Sequence, residues 1–146
     1  MNRYEILKEI FFNKIEEKVY GIYKQKAYFH SIQVSTLCML LAKETNLNQE
    51  LLGIIGLYHD FAQYINHNHF NHAKLSALAL ETLLDESFSD EEKRIMTQAI
   101  INHSNKEQIN DEYSEILKTA DLLAKYLEDP DIILKDYELK RIERYR

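Results

Sequence analysis

The chain has 146 residues and a formal net charge of −6, and 45% of its residues are hydrophobic, enough to bury the core of one domain. This charge excludes the basic footprint of a protein that binds a nucleic-acid polymer. No apolar run approaches the roughly 18 residues that a membrane span needs, and Met1–Glu5 lacks a signal-peptide pattern, so we expect a cytoplasmic protein without a membrane partner. Three glycines and one proline favour long helices over a turn-rich fold. The single cysteine, Cys38, excludes an internal disulfide and is interpreted as a small buried hydrophobe.

Apolar residues recur at helical spacing in the first half of the chain. The predicted helices cover residues 2–22, then about Tyr28 to Thr45, then a segment from Gln49 that carries His59 and Asp60 near its end. Asn48 is a candidate N-cap for the third of these helices. Residues 61–71 are rich in Asn and His and predict a loop or short turn, with His67 and His69 in contact with water.

The second half of the chain predicts four more helices. One opens at His72 after the cap candidate Asn71, and the capping box formed by Ser89 and Glu92 begins another that reaches about His103. A third helix covers about residues 111–128. The dipeptide Asp129-Pro130 predicts the N-cap and first residue of a last helix, on which Ile133, Tyr137 and Ile142 are expected to pack.

Two histidines lie on the apolar faces of their predicted helices. His30 continues the stripe of Val34 and Leu37, and His59 shares a face with Gly56, which leaves room for another backbone or a ligand. Taken alone, such a histidine is also typical of a hydrogen-bonded core residue. The apolar run that ends in His59 and Asp60 favours a site, because buried ionisable groups are costly unless they are paired or bound to metal.

Three further polar residues lie on apolar helical faces. His72 shares its stripe with Leu75, and His103 shares its face with Met96 near the end of its helix. The polar neighbours of His103 are also typical of a solvated helix end. Asp121 interrupts an apolar stripe, and an unpaired buried carboxylate is costly. Its alternative partner is a buried cation, such as the side chain of Lys125 one turn later.

These observations select six residues that offer only nitrogen or oxygen donors. Imidazoles and carboxylates together suit Fe, Mn, Zn, Co or Ni, whereas Mg and Ca prefer oxygen donors alone. Six donors exceed the usual three protein ligands of one catalytic zinc and would suit two metals with a carboxylate between them. The residues are His30, His59, Asp60, His72, His103 and Asp121.

The order of these residues is similar to a known signature. His30, the doublet His59-Asp60 and a distant Asp121 preceded by Ala120 resemble the pattern of the HD-domain superfamily of metal-dependent phosphohydrolases. The sequences around the other two histidines, His72-Ala73-Lys74 and Ile101-Asn102-His103, resemble the surroundings of the second-metal histidines in the two-metal subset. The resemblance covers about residues 28–125.

The resemblance implies a fold and a ligand set. The fold would be all-α: a compact single-domain bundle of residues 1–146 with about six to eight helices, its core at about 28–125, and the terminal helices packed on it. His30, His59, Asp60 and Asp121 would bind one metal. Asp60 would also bridge to a second metal held by His72 and His103. One or two divalent transition metals are expected, with iron favoured and Mn, Zn, Ni or Co as alternatives, and His59 and Asp60 are the expected catalytic residues.

The same resemblance implies hydrolysis of a small phosphorylated substrate, a nucleotide or another small phosphate ester. Two metals about 3.5–4 Å apart would share an activated hydroxide and present it to phosphorus. Lys74, Lys106 and Lys125 are candidate substrate-binding residues, although solvated lysines are the simpler interpretation. His67 or His69 is a candidate proton donor.

Within the superfamily, the layout is similar to proteins related to the symmetrical diadenosine tetraphosphate hydrolases. The chain departs from that subset at Gln63, where a lysine is usual, and in the acidic segment Glu128–Asp131. Two other functions remain alternatives. One is a di-iron oxygenase of the same superfamily, and the other is a non-catalytic, metal-stabilised module that binds a nucleotide or a partner protein.

Overall fold

The apolar periodicity of the sequence produces a chain made of helices and connecting segments. A computed structural model describes residues 1–146 and contains no strand, so the all-α prediction is confirmed. The helices are α1 (Asn2–Lys18), α2 (Gly21–Ala42), α3 (Gln49–Tyr58), α4 (Phe61–Asn66), α5 (His72–Glu81), α6 (Asp90–Asn102), α7 (Glu112–Glu128) and α8 (Asp136–Ile142), followed by a 3₁₀ turn at Glu143–Tyr145. None of them combines the length and apolar character needed to cross a membrane.

Helix α3 is the centre of the bundle. Every residue from Leu51 to Tyr58 is buried, and α1, α2, α6 and α7 pack around this helix. Asn48 caps it as predicted, since its side-chain oxygen accepts a hydrogen bond from the Leu51 N–H at 3.1 Å. His59 and Asp60 therefore directly follow a fully buried segment of the chain.

Gly56 allows α3 to approach the backbone of α2. A Cβ atom built on Gly56 would lie 2.7 Å from Ser35 Cα and 2.9 Å from Ser35 N, so any side chain would displace one helix. The prediction that Gly56 leaves room for another backbone is confirmed. This close crossing also places the rings of His30 and His59 side by side, with centroids 5.2 Å apart.

The first helix boundary differs from the prediction. Helix α1 ends at Lys18, and Val19 and Tyr20 are extended, so the predicted helix over residues 2–22 is wrong at its C-terminal end. Helix α2 begins at Gly21, whose φ of +68° is left-handed, well before the predicted start at Tyr28. The first turns of α2 are largely exposed and carry no apolar stripe, which is why periodicity missed them.

The segment after Asp60 was predicted as a loop, and this prediction is wrong for its first half. Phe61–Asn66 form α4, in which Phe61, Ala62, Gln63 and Tyr64 are buried. The left-handed backbone of His67, with φ 56°, ends the helix. A six-residue helix is shorter than two full turns, so it shows too little periodicity to be separated from the Asn- and His-rich loop that follows.

The predicted start of the last helix at Asp129-Pro130 is also wrong. These residues form a turn, and α8 begins at Asp136 after Lys135, whose N–H donates to Glu138 Oε1 at 2.9 Å. Ile142 is buried as expected, but Ile133 is 95% exposed because it precedes the helix. By contrast, the predicted capping box of α6 is present, with Ser89 and Glu92 bonded reciprocally at 2.9 and 3.1 Å.

Candidate metal centre

The junction of two helices and the interiors of two others bring a first group of donors together at the centre of the bundle. His59 is the C-cap of α3, and Asp60 follows it as the N-cap of α4. His30 comes from α2 and Asp121 from the buried face of α7. One ligand atom from each of these four residues lies within 4.8 Å of the others.

The distances within this group are short enough for one cation to contact all four side chains. His30 Nε2 lies 3.0 Å from Asp121 Oδ1 and 3.7 Å from Asp60 Oδ2. His59 Nε2 lies 3.2 Å from Asp60 Oδ2 and 3.4 Å from Asp121 Oδ1. Two imidazole nitrogens and two carboxylate oxygens thus face one point.

A second group shares Asp60 with the first. Asp60 Oδ1 lies 3.3 Å from His72 Nε2 and 3.2 Å from His103 Nε2. His72 opens α5 and His103 is the C-cap of α6, and the three donor atoms lie within 4.8 Å of one another. Asp60 therefore faces one group with Oδ2 and the other group with Oδ1.

Three of the histidines are oriented in the same way by the backbone. Nδ1 of His59 donates to the carbonyl oxygen of Gly56 at 2.7 Å, and Nδ1 of His72 donates to that of His69 at 3.1 Å. His103 Nδ1 donates to the Ile100 carbonyl. A carbonyl only accepts, so a proton is on Nδ1, and Nε2 is the ring atom that faces the carboxylates and would coordinate a metal, which is the orientation that metal-binding histidines use.

The donor set fits a divalent transition metal. His59 Nε2 is fully buried and has no hydrogen-bond partner, although it faces two carboxylates. Buried polar atoms are rarely left in this state. Coordination of a cation would satisfy this nitrogen and the surrounding carboxylate oxygens together.

The charges of the centre also favour a cation. Burial opposes ionisation of Asp60, but the imidazoles of His59 and His103 outweigh burial and hold the pKa of Asp60 well below its ordinary value. Burial is likewise outweighed at Asp121, whose pKa is held low by His30 and His59. Burial lowers the pKa of His59, yet Asp60 and Asp121 raise it to about 10. Both carboxylates are ionised, so positive charge is stabilised between them.

A cavity of about 440 Å³ opens beside the two groups. Asp121 lines this cavity. Its Oδ1 faces the histidines, and its Oδ2 lies 3.0 Å from Lys106 Nζ and 3.4 Å from Lys125 Nζ. Lys125, the cation predicted as an alternative partner of Asp121, therefore lies beside this carboxylate together with the histidines. The lining residues are Lys26, His30, Asp60, Gln63, Tyr64, His69, His72, His103, Ser104, Lys106, Asp121, Lys125 and Glu128.

Lys74 and His67, which the sequence suggested as a substrate-binding residue and a proton donor, do not line this cavity. Lys74 is exposed and lines a neighbouring depression. His67 stacks with Tyr20 and Tyr23, with ring centroids 5.0 and 5.3 Å away. His69 does line the cavity.

The sequence did not identify all of the lining residues. Lys26, Ser104 and Glu128 were not selected as site residues, although each line the cavity. A signal for Lys26 was present, since it lies one helical turn before His30 and so faces the same side of α2. Glu128 comes at the end of α7, two turns after Asp121, on the same side of that helix.

The comparison with protein families agrees with this geometry. The family model for the HD domain matches residues 27–126, which is most of the chain. The chain belongs to the HD domain family, which implies the metal-dependent phosphohydrolase superfamily. Searches of curated proteins and of solved structures found no match.

Proposed function

We propose that this HD-domain protein is a phosphohydrolase that holds two divalent transition metals. The observation that supports it best is Asp60, whose two oxygens face two different groups of histidines. In the proposed site, one metal is held by His30, His59, Asp60 and Asp121. The other is held by Asp60, His72 and His103, and iron is the favoured metal.

The proposed reaction is hydrolysis of a phosphate ester in the cavity beside these residues. Divalent metals at such a site lower the pKa of water toward neutrality and neutralise charge on phosphate oxygens. Lys106 and Lys125 would bind the remaining phosphate oxygens through charge-assisted hydrogen bonds. Both ammonium groups already lie within 3.4 Å of Asp121 at the cavity wall, and both side chains are at least one-third exposed.

The remaining roles in this proposal depend on which residues would hold the metals and which only line the cavity. Asp60 and His59 are the proposed catalytic residues, because they would hold the metals whose charge would activate the water. We propose His69 as the donor of a proton to the leaving-group oxygen, since it lines the cavity and is not among the six donors. Lys74 has no role in the proposal, because it lies outside the cavity.

The finer likeness to symmetrical diadenosine tetraphosphate hydrolases is supported by the order of the six donors. Two residues that depart from that subset, Gln63 and Glu128, both line the cavity. Gln63 places a neutral amide where a lysine is usual, and Glu128 belongs to the acidic segment that ends at Asp131. We therefore propose a nucleotide or another small phosphate ester as the substrate in place of a dinucleoside polyphosphate.

The test is elemental analysis of protein purified without a chelating tag, combined with phosphate release from a panel of phosphate esters. We expect about two transition metals per chain, in line with the number that binuclear sites hold, and release of phosphate. The matched variant Asp60→Ala should lose both metals and the activity, because it removes a donor from each group.

Each other outcome has a distinct meaning. Two irons and oxygen consumption without phosphate release would identify a di-iron oxygenase. Retained metal without turnover on the panel would identify a binding module. Failure to bind any transition metal after reconstitution would overturn the proposal.

A further inference from the structure

The cavity beside the metal centre is polar on almost every side. Tyr64 is its single hydrophobic lining residue, and this side chain is 1% exposed. Its ring packs edge-on against Tyr23, with centroids 5.5 Å apart, so its face is not open to a ligand. Proteins bind a nucleobase by stacking it on aromatic or apolar side chains. The cavity offers no exposed Phe, Tyr or Trp ring, and beyond the six donors its one exposed ring is the imidazole of His69, the proposed proton donor.

Apart from the proposed metals, the cavity carries little uncompensated positive charge. Its cations are Lys26, Lys106 and Lys125, but two of these ammonium groups already lie beside the Asp121 carboxylate. Glu128 adds a carboxylate to the same wall, 3.8 Å from His30 Nδ1. A chain of several phosphates would meet this carboxylate, whereas a single phosphate can be accommodated by the metals and the lysines.

The remaining wall is built from neutral polar groups. The Gln63 amide, the Ser104 hydroxyl and the His69 imidazole all line the cavity. The Ser104 hydroxyl donates to the Ile101 carbonyl at 3.3 Å and can still accept a hydrogen bond. Such groups match the hydroxyls of a sugar or polyol, because a site that hydrogen-bonds hydroxyls discriminates through them.

We propose that the substrate is a small, hydrophilic phosphomonoester, such as a sugar or polyol phosphate, and that Glu128 excludes polyphosphates. This inference rests on the proposed phosphohydrolase function. In the reaction, water adds to phosphorus, the ester P–O bond breaks, and the leaving alkoxide takes up a proton to give an alcohol and inorganic phosphate. The base of a nucleotide, where present, is not recognised.

The experiment compares phosphate release from ribose 5-phosphate, AMP, UMP and inorganic triphosphate by the metal-loaded full chain. A base that stacked on the protein would change kcat/KM by about tenfold or more. We expect kcat/KM for ribose 5-phosphate to equal or exceed that for AMP and UMP, and the two nucleotides to be equivalent. Triphosphate should be the poorest substrate of the four.

Two variants make the comparison specific. Glu128→Gln keeps a hydrogen-bonding group near His30 but removes the negative charge, so it should raise the ratio of kcat/KM for triphosphate to that for ribose 5-phosphate. Phe70→Ala is the control. Its ring is 81% exposed next to His69 and outside the cavity lining, and we expect no change on any substrate.

Several results would overturn the inference while leaving the hydrolase intact. A preference of more than about tenfold for AMP or UMP over ribose 5-phosphate would show that a base is recognised. Loss of that preference in Phe70→Ala would locate the stacking surface outside the cavity. An unchanged ratio in Glu128→Gln, with metal content retained, would remove the proposed role of that carboxylate. No phosphate release from any substrate would instead refute the phosphohydrolase itself.

Discussion

Asp60 connects the two halves of the centre because each of its oxygens contacts a different pair of histidines. Oδ2 lies 3.2 Å from His59 and 3.7 Å from His30, and Oδ1 lies 3.2–3.3 Å from His72 and His103. Its backbone position, between the end of α3 and the start of α4, holds the carboxylate without a flexible linker. The orientation of the Asp60 side chain therefore determines whether the six donors form one group or two.

The lysines at the cavity wall give a prediction at the same scale. Lys106→Ala removes an ammonium group placed to bind phosphate, and we expect kcat/KM for phosphate release to fall roughly ten- to a hundredfold, the worth of a charge-assisted hydrogen bond. Steady-state kinetics of the metal-loaded protein provide the measurement. The control is Lys74→Ala, which removes a lysine outside the cavity and should leave the rate unchanged. Equal losses in both variants would contradict the assignment of Lys106.

At the scale of the helices, the crossing of α2 and α3 sets the geometry of the centre. Gly56 on α3 faces the Ser35 backbone of α2, and the two helices carry His30 and His59 on the same side of this crossing. Tyr4 Oη and Ser35 Oγ hydrogen-bond at 2.9 Å, and Ser35 Oγ donates to the Gly53 carbonyl at 2.7 Å, which adds polar contacts to the crossing. The spacing of the two helices is therefore fixed by backbone contact.

Gly56→Ala should destabilise the protein by roughly 1–3 kcal/mol, because the new methyl group meets backbone atoms that cannot move independently of their helix. Urea unfolding monitored by circular dichroism measures the change. Gly53→Ala is the matched control on the same helix. Its methyl group would meet Met39 Sδ at 2.9 Å, the end of a flexible side chain, so a smaller loss is expected. An equal or smaller loss for Gly56→Ala would show that α2 and α3 can separate without cost.

On the scale of the whole molecule, the centre lies where six helices or their ends meet. The six donors come from α2, from the α3–α4 junction and from α5, α6 and α7, so a bound metal would tie segments distant in sequence. Without a cation, the ionised Asp60 and Asp121 are neutralised only by histidines and lysines. A ligand that binds the folded state alone stabilises it by an amount that grows with the logarithm of its free concentration relative to Kd.

Metal removal should therefore lower Tm. Saturation at about a hundred times Kd contributes about 2.7 kcal/mol, and a chain of this size shifts by roughly 2–4 °C for each kcal/mol. We expect chelation to lower Tm by roughly 5–10 °C, measured by scanning calorimetry before and after dialysis against a chelator. Asp60→Ala should show no further decrease on chelation. An identical Tm with and without chelator in the native sequence would argue against metal at this centre.

Local patterns in the sequence determined the helical class, the capping of α3 and α6, and the inward faces that carry the six donors. These features depend on neighbours three or four residues apart, so the sequence alone contains the information. The same patterns failed at the start of α2, in α4 and before α8. These segments are exposed or too short to show a period, and the packing of the rest of the bundle decides their conformation.

The tertiary structure alone decided which donor faces which. The family resemblance implied that Asp60 would bridge two groups of donors, but spacing along the chain does not show which oxygen faces which pair of histidines, or that Glu128 shares a cavity with Lys26 from another helix. Residues 26 and 128 are far apart in the chain, and only the packing of α7 against α2 brings them to one wall. The spacing of residues along a helix determines the direction in which each side chain points. The distance between two helices is instead set by the residues at their crossing, and between α2 and α3 this residue is Gly56.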